Sequence, residues 1–350
     1  MARSIGSVSP KYLKKSDQVL KAKEFLKTRI VDWFRREARD LPWRRTSDPY
    51  RIWISEIMCQ QTGVAAVVPY YLRFLESFPD VYALAEAPEE RVIRLWEGLG
   101  YYSRARNLKR AAQMIVHSYA GRVPASRDEL LRLPGIGPYS AGAILAIAYN
   151  KSEAALDGNL IRVFSRYFAE TRPVDHPRVL RDLWALAQDL VPTSSFDVRA
   201  YTEGLMDLGA SICKPKNPAC ALCPLKESCQ TRIQNIESRI PFKERRMLRV
   251  KKQERIFVRA DHRRVLVMAK GSDPKFPHFH RLPFLEGFDK TDQFKRMKYA
   301  VTNRDFEVQV IEAKPPQTLE KRCTWMKWDE VQRVSFPAID RKILNSIIFA

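Results

Sequence analysis

No run of about 18 apolar residues occurs anywhere in the 350-residue chain, so no membrane-spanning helix is expected. The first thirty residues carry eight basic side chains and no apolar stretch, which argues against a secretory signal. No Gly-Lys-Ser or Gly-Lys-Thr occurs, and no strand pattern precedes the glycine pair Gly135/Gly137, so neither a P-loop nor a dinucleotide-binding fold fits. Cysteine is scarce as well. There are six, four of them crowded between 213 and 229, which is no disulfide framework for a chain this long and points to a metal site in a reducing compartment. With 45% hydrophobic and 11% aromatic residues, the chain is not a disordered or low-complexity protein either.

What is abundant is positive charge. Lys and Arg number 61 against 40 Asp and Glu, a formal charge of +21. Residues 231–350 hold 27 basic and 15 acidic side chains, and the first 230 hold 34 and 25, so the excess is not confined to a tail. A polyanion partner, nucleic acid above all, accounts for such a balance.

The length suggests two or three domains. From about residue 20 to 225 the chain reads as helices joined by short turns, with no strand-rich stretch before 240. Asp48-Pro49 supplies a capping oxygen and a pre-set first φ, and predicts a helix over Tyr50–Val68. Residues 231–254 crowd basic side chains around Pro241 and read as a linker. Beyond it, Arg255–Ala260 and Val265–Met268 read as strand, turn, strand; Phe306–Val310 alternates as a half-buried strand; and Ile339–Phe349 reads as a closing helix. The expectation is a multidomain chain, all-α first and a small α+β domain after it.

Three features carry chemistry. Cys213, Cys220, Cys223 and Cys229 are spaced C-x6-C-x2-C-x5-C. Four thiolates in one compact loop suit a [4Fe–4S] cluster better than zinc, which more often takes two separated pairs. Leu133-Pro134-Gly135-Ile136-Gly137-Pro138 lies between two helical patterns. Such a turn can aim backbone N–H groups at a DNA phosphate through Gly135 and Gly137, although a plain helix–helix turn is the alternative. Finally, Glu56 shares a helix face with Ile52, Trp53 and Cys59, where desolvation raises a carboxyl toward the range of a general acid. Asp157 precedes a helical pattern as a natural N-cap, or as the carboxylate that faces an oxocarbenium-like cation in glycoside cleavage.

These residues stand in segments that resemble the MutY-type adenine DNA glycosylases. The likeness covers Leu41-Pro42-Trp43-Arg44, Ser55 through Thr62, Gly98 through Asn107, the hairpin, Leu156-Asp157-Gly158-Asn159, and Met206 through Ala210 running into the cysteine loop. It implies a helix-hairpin-helix glycosylase fold over residues 1–230. A six-helix module would occupy about 42–149, and a cluster module about 1–41 and 150–230. A basic linker over 231–254 and a Nudix-like lesion-recognition domain over 255–350 would follow. The resemblance implies that Glu56 protonates the adenine ring and that Asp157 stabilises or captures the sugar cation, with Tyr139 and Asn159 as supports. Arg39, Arg44 and Glu203 would line the adenine pocket, and Gln60, Gln61 and Tyr101 would wedge into the stack opposite the lesion. The four cysteines would hold a [4Fe–4S] cluster.

The implied substrate is double-stranded DNA with adenine opposite 8-oxoguanine or guanine, its target nucleotide extruded from the stack. A monomer is expected, bacterial-cytoplasmic or, in a eukaryote, nuclear or mitochondrial. Endonuclease III-like relatives carry a lysine just after the hairpin that forms a Schiff base; here that position is Tyr139, so a monofunctional enzyme is expected. The last hundred residues depart further from the family. No Arg-Glu-x-x-Glu-Glu run is present, so no nucleotide hydrolysis is expected, and Val301-Thr302-Asn303 stands where the family's lesion-reading loop is Phe-Ser-His. Thr302 and Asn303 keep hydrogen-bonding groups, and the preference for 8-oxoguanine is expected to be retained but weakened. The alternatives are a mismatch thymine or uracil glycosylase of the same superfamily and a non-catalytic damage-binding protein.

Overall fold

The computed structural model describes residues 16–244, 250–287, 295–301, 304–313 and 315–348. Its contacts divide the chain into two units, residues 1–86 with 107–246, and residues 87–106 with 247–350. Among the described residues no helix is long and apolar enough to cross a membrane.

The first unit is helical: α1 (Ser16–Glu37), α2 (Pro49–Cys59), α3 (Val64–Ser77) and α4 (Val81–Glu86) come first. After α5 (Glu89–Leu95), which belongs to the second unit, follow α6 (Ser103–Ser118), which belongs to the first unit from residue 107 on, α7 (Arg127–Arg132), α8 (Pro138–Tyr149), α9 (Gly158–Tyr167), α10 (Pro177–Leu190), α11 (Val198–Asp207) and α12 (Gln230–Ile233). Asp48 caps α2 as its sequence requires, accepting from the Tyr50 N–H at 2.9 Å. The single helix expected over Tyr50–Val68 is instead two. It breaks after Cys59, with Gln61 at φ 58° and Gly63 capping α3, so the Gln60–Gly63 turn stands clear of both helices.

A core of Leu26, Ile30, Leu160, Phe164, Leu186 and Leu205 joins α1, α9, α10 and α11, and a smaller one of Ile52, Ala143, Ile147 and Ala155 joins α2 to α8. Gly142 makes the second junction possible. A Cβ there would fall 1.8 Å from the Ala154 carbonyl oxygen, so only glycine lets α8 lie against the strand of chain that leads to Asp157.

In the second unit β1 (Val250–Phe257), β2 (Arg264–Met268), β3 (Phe284–Glu286), β4 (Lys295–Val301), β5 (Arg304–Ile311) and β6 (Cys323–Lys327) make two sheets, ordered β3-β1-β5-β4 and β2-β6. β1 and β5 run parallel; the other pairs are antiparallel. Helices α13 (Gln317–Glu320), α14 (Trp328–Val331) and α15 (Ala338–Ile348) complete it. The strand, turn, strand reading near 255–268 holds locally, with Ala260 bridging Val265 antiparallel and the Leu266 N–H donating to the Arg259 carbonyl at 2.9 Å, while β1 takes its sheet partners from β3 and β5 and β2 from β6. Two expectations change here. β1 begins at Val250, inside the segment read as linker. And β5 is not half-buried: Val308, Gln309 and Val310 are all buried, because Ile339 and Ile343 cover one face while Leu319 and Met268 pack near the other.

Candidate active site

Glu56 sits in the middle of α2, only 8% exposed. Burial pushes its carboxyl up to about 7; the Tyr139 hydroxyl pulls it back, and the negative charges of Glu203 and then Asp157 add to the rise. Tyr139, in the first turn of α8, donates from Oη to Glu56 Oε2 at 3.0 Å. Its own hydroxyl is pushed well above its ordinary value by burial and by the nearby charges of Glu56 and Asp157. The three groups therefore share one desolvated neighbourhood.

Asp157 caps α9. Its Oδ1 accepts from the Asn159 and Leu160 N–H groups at 2.9 and 2.8 Å, and Oδ2 accepts from Asn159 Nδ2 at 3.0 Å. Burial still outweighs these bonds and raises its carboxyl above the ordinary value. Capping and placement beside Glu56 are thus one arrangement: the helix start fixes the carboxylate. Asn159 is fixed in turn, its Oδ1 accepting from Arg162 Nη2 at 2.9 Å.

Arg39, Arg44 and Glu203 also come together, through a residue whose role the sequence did not signal. Asp207 accepts from Arg39 Nε at 2.9 Å and from Arg44 Nη1 at 2.7 Å, and Arg44 Nη1 also donates to the Arg39 carbonyl at 2.9 Å. Burial alone would raise the Asp207 carboxyl, but the bonds from Arg44 and then Arg39 hold it below its ordinary value. Glu203 is 5% exposed and pairs with Arg199 Nε at 3.3 Å, with Arg44 Nε at 4.0 Å. The Arg199–Glu203 pair was within reach of the sequence, being spaced i,i+4 on one helix. Gln60 Nε2 donates to Ser140 Oγ at 3.0 Å, tying the end of α2 to α8, and Gln61 follows in the left-handed turn.

The hairpin links α7 to α8 through Leu133–Gly137, with Gly137 at the N-cap of α8. Gly135 has φ +82°, and a Cβ on it would meet Asn107 Cβ at 2.8 Å. Both facts demand glycine there, whereas Gly137 meets nothing within 4 Å.

Cys213, Cys220, Cys223 and Cys229 line one cavity of about 30 Å³, walled by Val163, Tyr167, Leu208 and Leu225, and all are free thiols. Two guanidinium groups, 8% and 3% exposed, bracket the loop. Arg166 Nη1 lies 3.5 Å from Cys213 Sγ and donates to the Lys214 carbonyl at 2.6 Å; Arg162 Nε donates to the Cys213 carbonyl at 2.7 Å. Arg162 therefore spans from the cysteine loop to Asn159 beside Asp157, a link no motif announced. Among the described residues no three Cys, His, Asp or Glu side chains are arranged to hold a single metal ion.

Of the remaining sequence-predicted residues, Tyr101 belongs to the second unit, 42% exposed and at φ 47°. Within that unit it borders a cavity of about 320 Å³ with Arg106, Lys275, Phe276, His278 and Tyr299. Thr302 and Asn303 lie outside the described residues.

Residues 54–189 match the HhH-GPD superfamily of base excision DNA repair proteins. The thymine/uracil-DNA glycosylase of Pyrobaculum aerophilum is 35% identical over 214 residues, 60% of this chain and 93% of that protein. The chain belongs to the HhH-GPD superfamily. The structure of a thermostable thymine-DNA glycosylase superposes on it with a TM-score of 0.56 at 32% identity, covering 61% of this chain and 98% of that one. The adenine DNA glycosylase of Buchnera aphidicola (subspecies Baizongia pistaciae) is 39% identical over 207 residues, 59% of this chain and 58% of that protein. The chain thus spans about three-fifths of the length of the first curated relatives it matches. The superfamily match holds Glu56, the hairpin and Asp157 within its bounds, while the cysteine loop follows it. The helical part is an HhH-GPD glycosylase fold, and the mixed-sheet region lies beyond it.

Proposed function

We propose that this chain is a monofunctional adenine DNA glycosylase acting on adenine opposite 8-oxoguanine or guanine in double-stranded DNA. The observation that carries the proposal is the Glu56 carboxyl, buried and raised to about 7, with Asp157 close enough to add to that rise. A carboxyl at that value is substantially protonated near neutral pH and can give its proton to a purine ring nitrogen as the glycosidic bond breaks. Asp157, held from both oxygens by Asn159 and Leu160, presents fixed negative charge to the deoxyribose as it turns cationic. Once Glu56 has lost its proton, the Tyr139 hydroxyl stabilises the carboxylate left behind.

Tyr139 occupies the place where an amine nucleophile would form a Schiff base, so base release is to leave an intact abasic site. Arg39, Arg44 and Glu203 would line the adenine pocket, with Asp207 orienting both arginines. Gly135 and Gly137 would hold a phosphate at the start of α8, and Gln60, Gln61 and Tyr101 would fill the space opposite the extruded base. The 255–350 region would be Nudix-like and read the opposing base through Thr302 and Asn303.

Cys213, Cys220, Cys223 and Cys229 would hold a [4Fe–4S] cluster. The donor chemistry suits such a cluster: four free thiols line one apolar cavity, and two buried guanidinium groups stand as counter-charges. When bound, the cluster would cross-link the 213–229 loop. Arg162 then carries that order to Asn159.

Several curated relatives are named adenine DNA glycosylases and another a thymine/uracil-DNA glycosylase. Glu56 favours the former, because a pyrimidine leaves without protonation of a purine ring nitrogen. Incubation with A:8-oxoguanine, A:G, T:G and U:G duplexes, scored for the free base, tests the proposal. Release of thymine or uracil without adenine would reverse it.

A further inference from the structure

We infer that Arg341 and Phe279 are positioning residues for Tyr101, so that the sheet-bearing unit sets the stance of the ring that enters the stack; this rests on the role proposed for Tyr101 above.

Tyr101 is an odd residue to find as it stands. It is a bulky aromatic, 42% exposed, on a left-handed backbone at φ 47°. A conformation of that kind is strained for a bulky residue and persists only where its surroundings over-determine it. Those surroundings are visible. Trp96 Nε1 donates to the Gly100 carbonyl at 3.1 Å, Arg104 Nη2 donates to the Leu99 and Gly100 carbonyls at 3.2 and 3.3 Å, and the Arg104 guanidinium lies 5.7 Å from the Tyr101 ring centre. The Gly98 N–H reaches Tyr102 Oη at 3.4 Å. These contacts shape the loop from within.

The anchors come from α15, through two adjacent residues facing different partners. Arg341 grips Glu97 at two points, Nε to Oε1 at 2.7 Å and Nη2 to Oε2 at 3.3 Å, and spends its other donors on the Val331 and Val334 carbonyls at 3.1 and 2.6 Å. Its side chain is 15% exposed and that of Glu97 11%, and the Phe336 N–H also donates to Glu97. Asp340, fully buried, accepts from Arg281 Nε at 2.8 Å and from the Leu282 N–H at 2.9 Å, and Arg281 also pairs with Asp273. The segment from 273 to 281 is thereby closed at both ends, and it presents Phe279 edge-on to Tyr102 with ring centres 4.4 Å apart. One helix thus holds the Tyr101 loop at Glu97 before it and at Tyr102 immediately after it. That is also why residues 87–106 group with the sheet and not with the helices around them in sequence.

A brace that acts through Tyr101 makes a specific demand, which a merely stabilising contact does not: its removal must matter only while Tyr101 is present. The full chain, Arg341→Met, Phe279→Ala, Tyr101→Ala and the Tyr101→Ala/Arg341→Met double variant are compared in two assays. In the first, 2-aminopurine placed beside the mispaired base reports unstacking on binding. In the second, adenine release is followed in single turnover on an A:8-oxoguanine duplex. Arg341→Met is expected to lose most of the fluorescence rise and to slow release about tenfold, but to change either reading by less than about twofold in the Tyr101→Ala background. Phe279→Ala is expected to lose the fluorescence rise in the same way. Equal losses from Arg341→Met with and without Tyr101, or no loss at all, would overturn the inference. The fluorescence arm reads it even if the wild-type chain releases no adenine, an outcome that would instead contradict the proposed activity.

Discussion

The Tyr139 hydroxyl donates to Glu56 Oε2 at 3.0 Å, a bond that favours the Glu56 carboxylate where burial favours the neutral acid. Burial raises the Glu56 carboxyl to about 7, and the tyrosine's bond restrains that rise. Tyr139→Phe removes the restraint and is expected to move the alkaline limb of the pH–rate profile for base release to higher pH. A profile unchanged or shifted to lower pH would show that the two groups do not communicate.

Glu56 also leaves a mark on stability. Its folded carboxyl sits near 7 against an ordinary 4.5, so the folded chain holds that proton more tightly than the unfolded chain. Stability contributed by the protonated form is complete at low pH, is lost as pH rises from about 4.5 to about 7, and amounts to roughly 3 kcal/mol. Glu56→Gln is therefore expected to melt higher than wild type at about pH 8 and to converge with it at about pH 4.5. Thermal unfolding at the two pH values checks this.

Asp157 has two duties that substitutions can separate. Asparagine caps a helix about as well as aspartate, so Asp157→Asn is expected to keep its unfolding free energy within about 1 kcal/mol of wild type while losing turnover. Asp157→Ala is expected to lose both.

Arg162 bonds the Cys213 and Gly209 carbonyls at 2.7 Å each and Asn159 Oδ1 at 2.9 Å. Arg162→Leu frees the Asn159 amide and with it one bond to Asp157. Base release is expected to fall about tenfold with mispair affinity much less affected. Single-turnover rates and equilibrium binding on one duplex separate the two effects.

The two hairpin glycines are expected to differ. Gly135→Ala meets both the positive φ and the Asn107 side chain, and is expected to cost about 1–3 kcal/mol of stability along with DNA affinity. Gly137→Ala meets neither obstacle. Paired unfolding and binding measurements on the two variants decide it.

What the sequence made legible was chemistry fixed by nearest neighbours. Asp48-Pro49 and Asp157-Gly158 start helices because a capping oxygen acts over two or three residues, and those rules hold wherever the segment lies. Apolar neighbours around Glu56 were enough to foretell its raised carboxyl. Gln60–Gly63 escaped because α2 and α3 carry one continuous apolar rhythm, and only the positive φ at Gln61 shows the break. β5 was misjudged because its second face is covered by Met268 and Leu319, residues outside the strand that its own alternation does not report. Asp207 and Arg162 were invisible for the same reason, since their partners lie up to 168 residues away. In the mixed sheet, where β1 pairs with β5 across some fifty residues, periodicity names strands but not their neighbours.

The most direct measurement is single-turnover release of free adenine from an A:8-oxoguanine duplex by the wild-type chain and by Glu56→Gln, with binding followed in parallel. The wild-type chain is expected to liberate adenine without breaking the strand, and Glu56→Gln to bind the same duplex and liberate none. Adenine release by Glu56→Gln at near the wild-type rate would contradict the assignment of Glu56 as the proton donor.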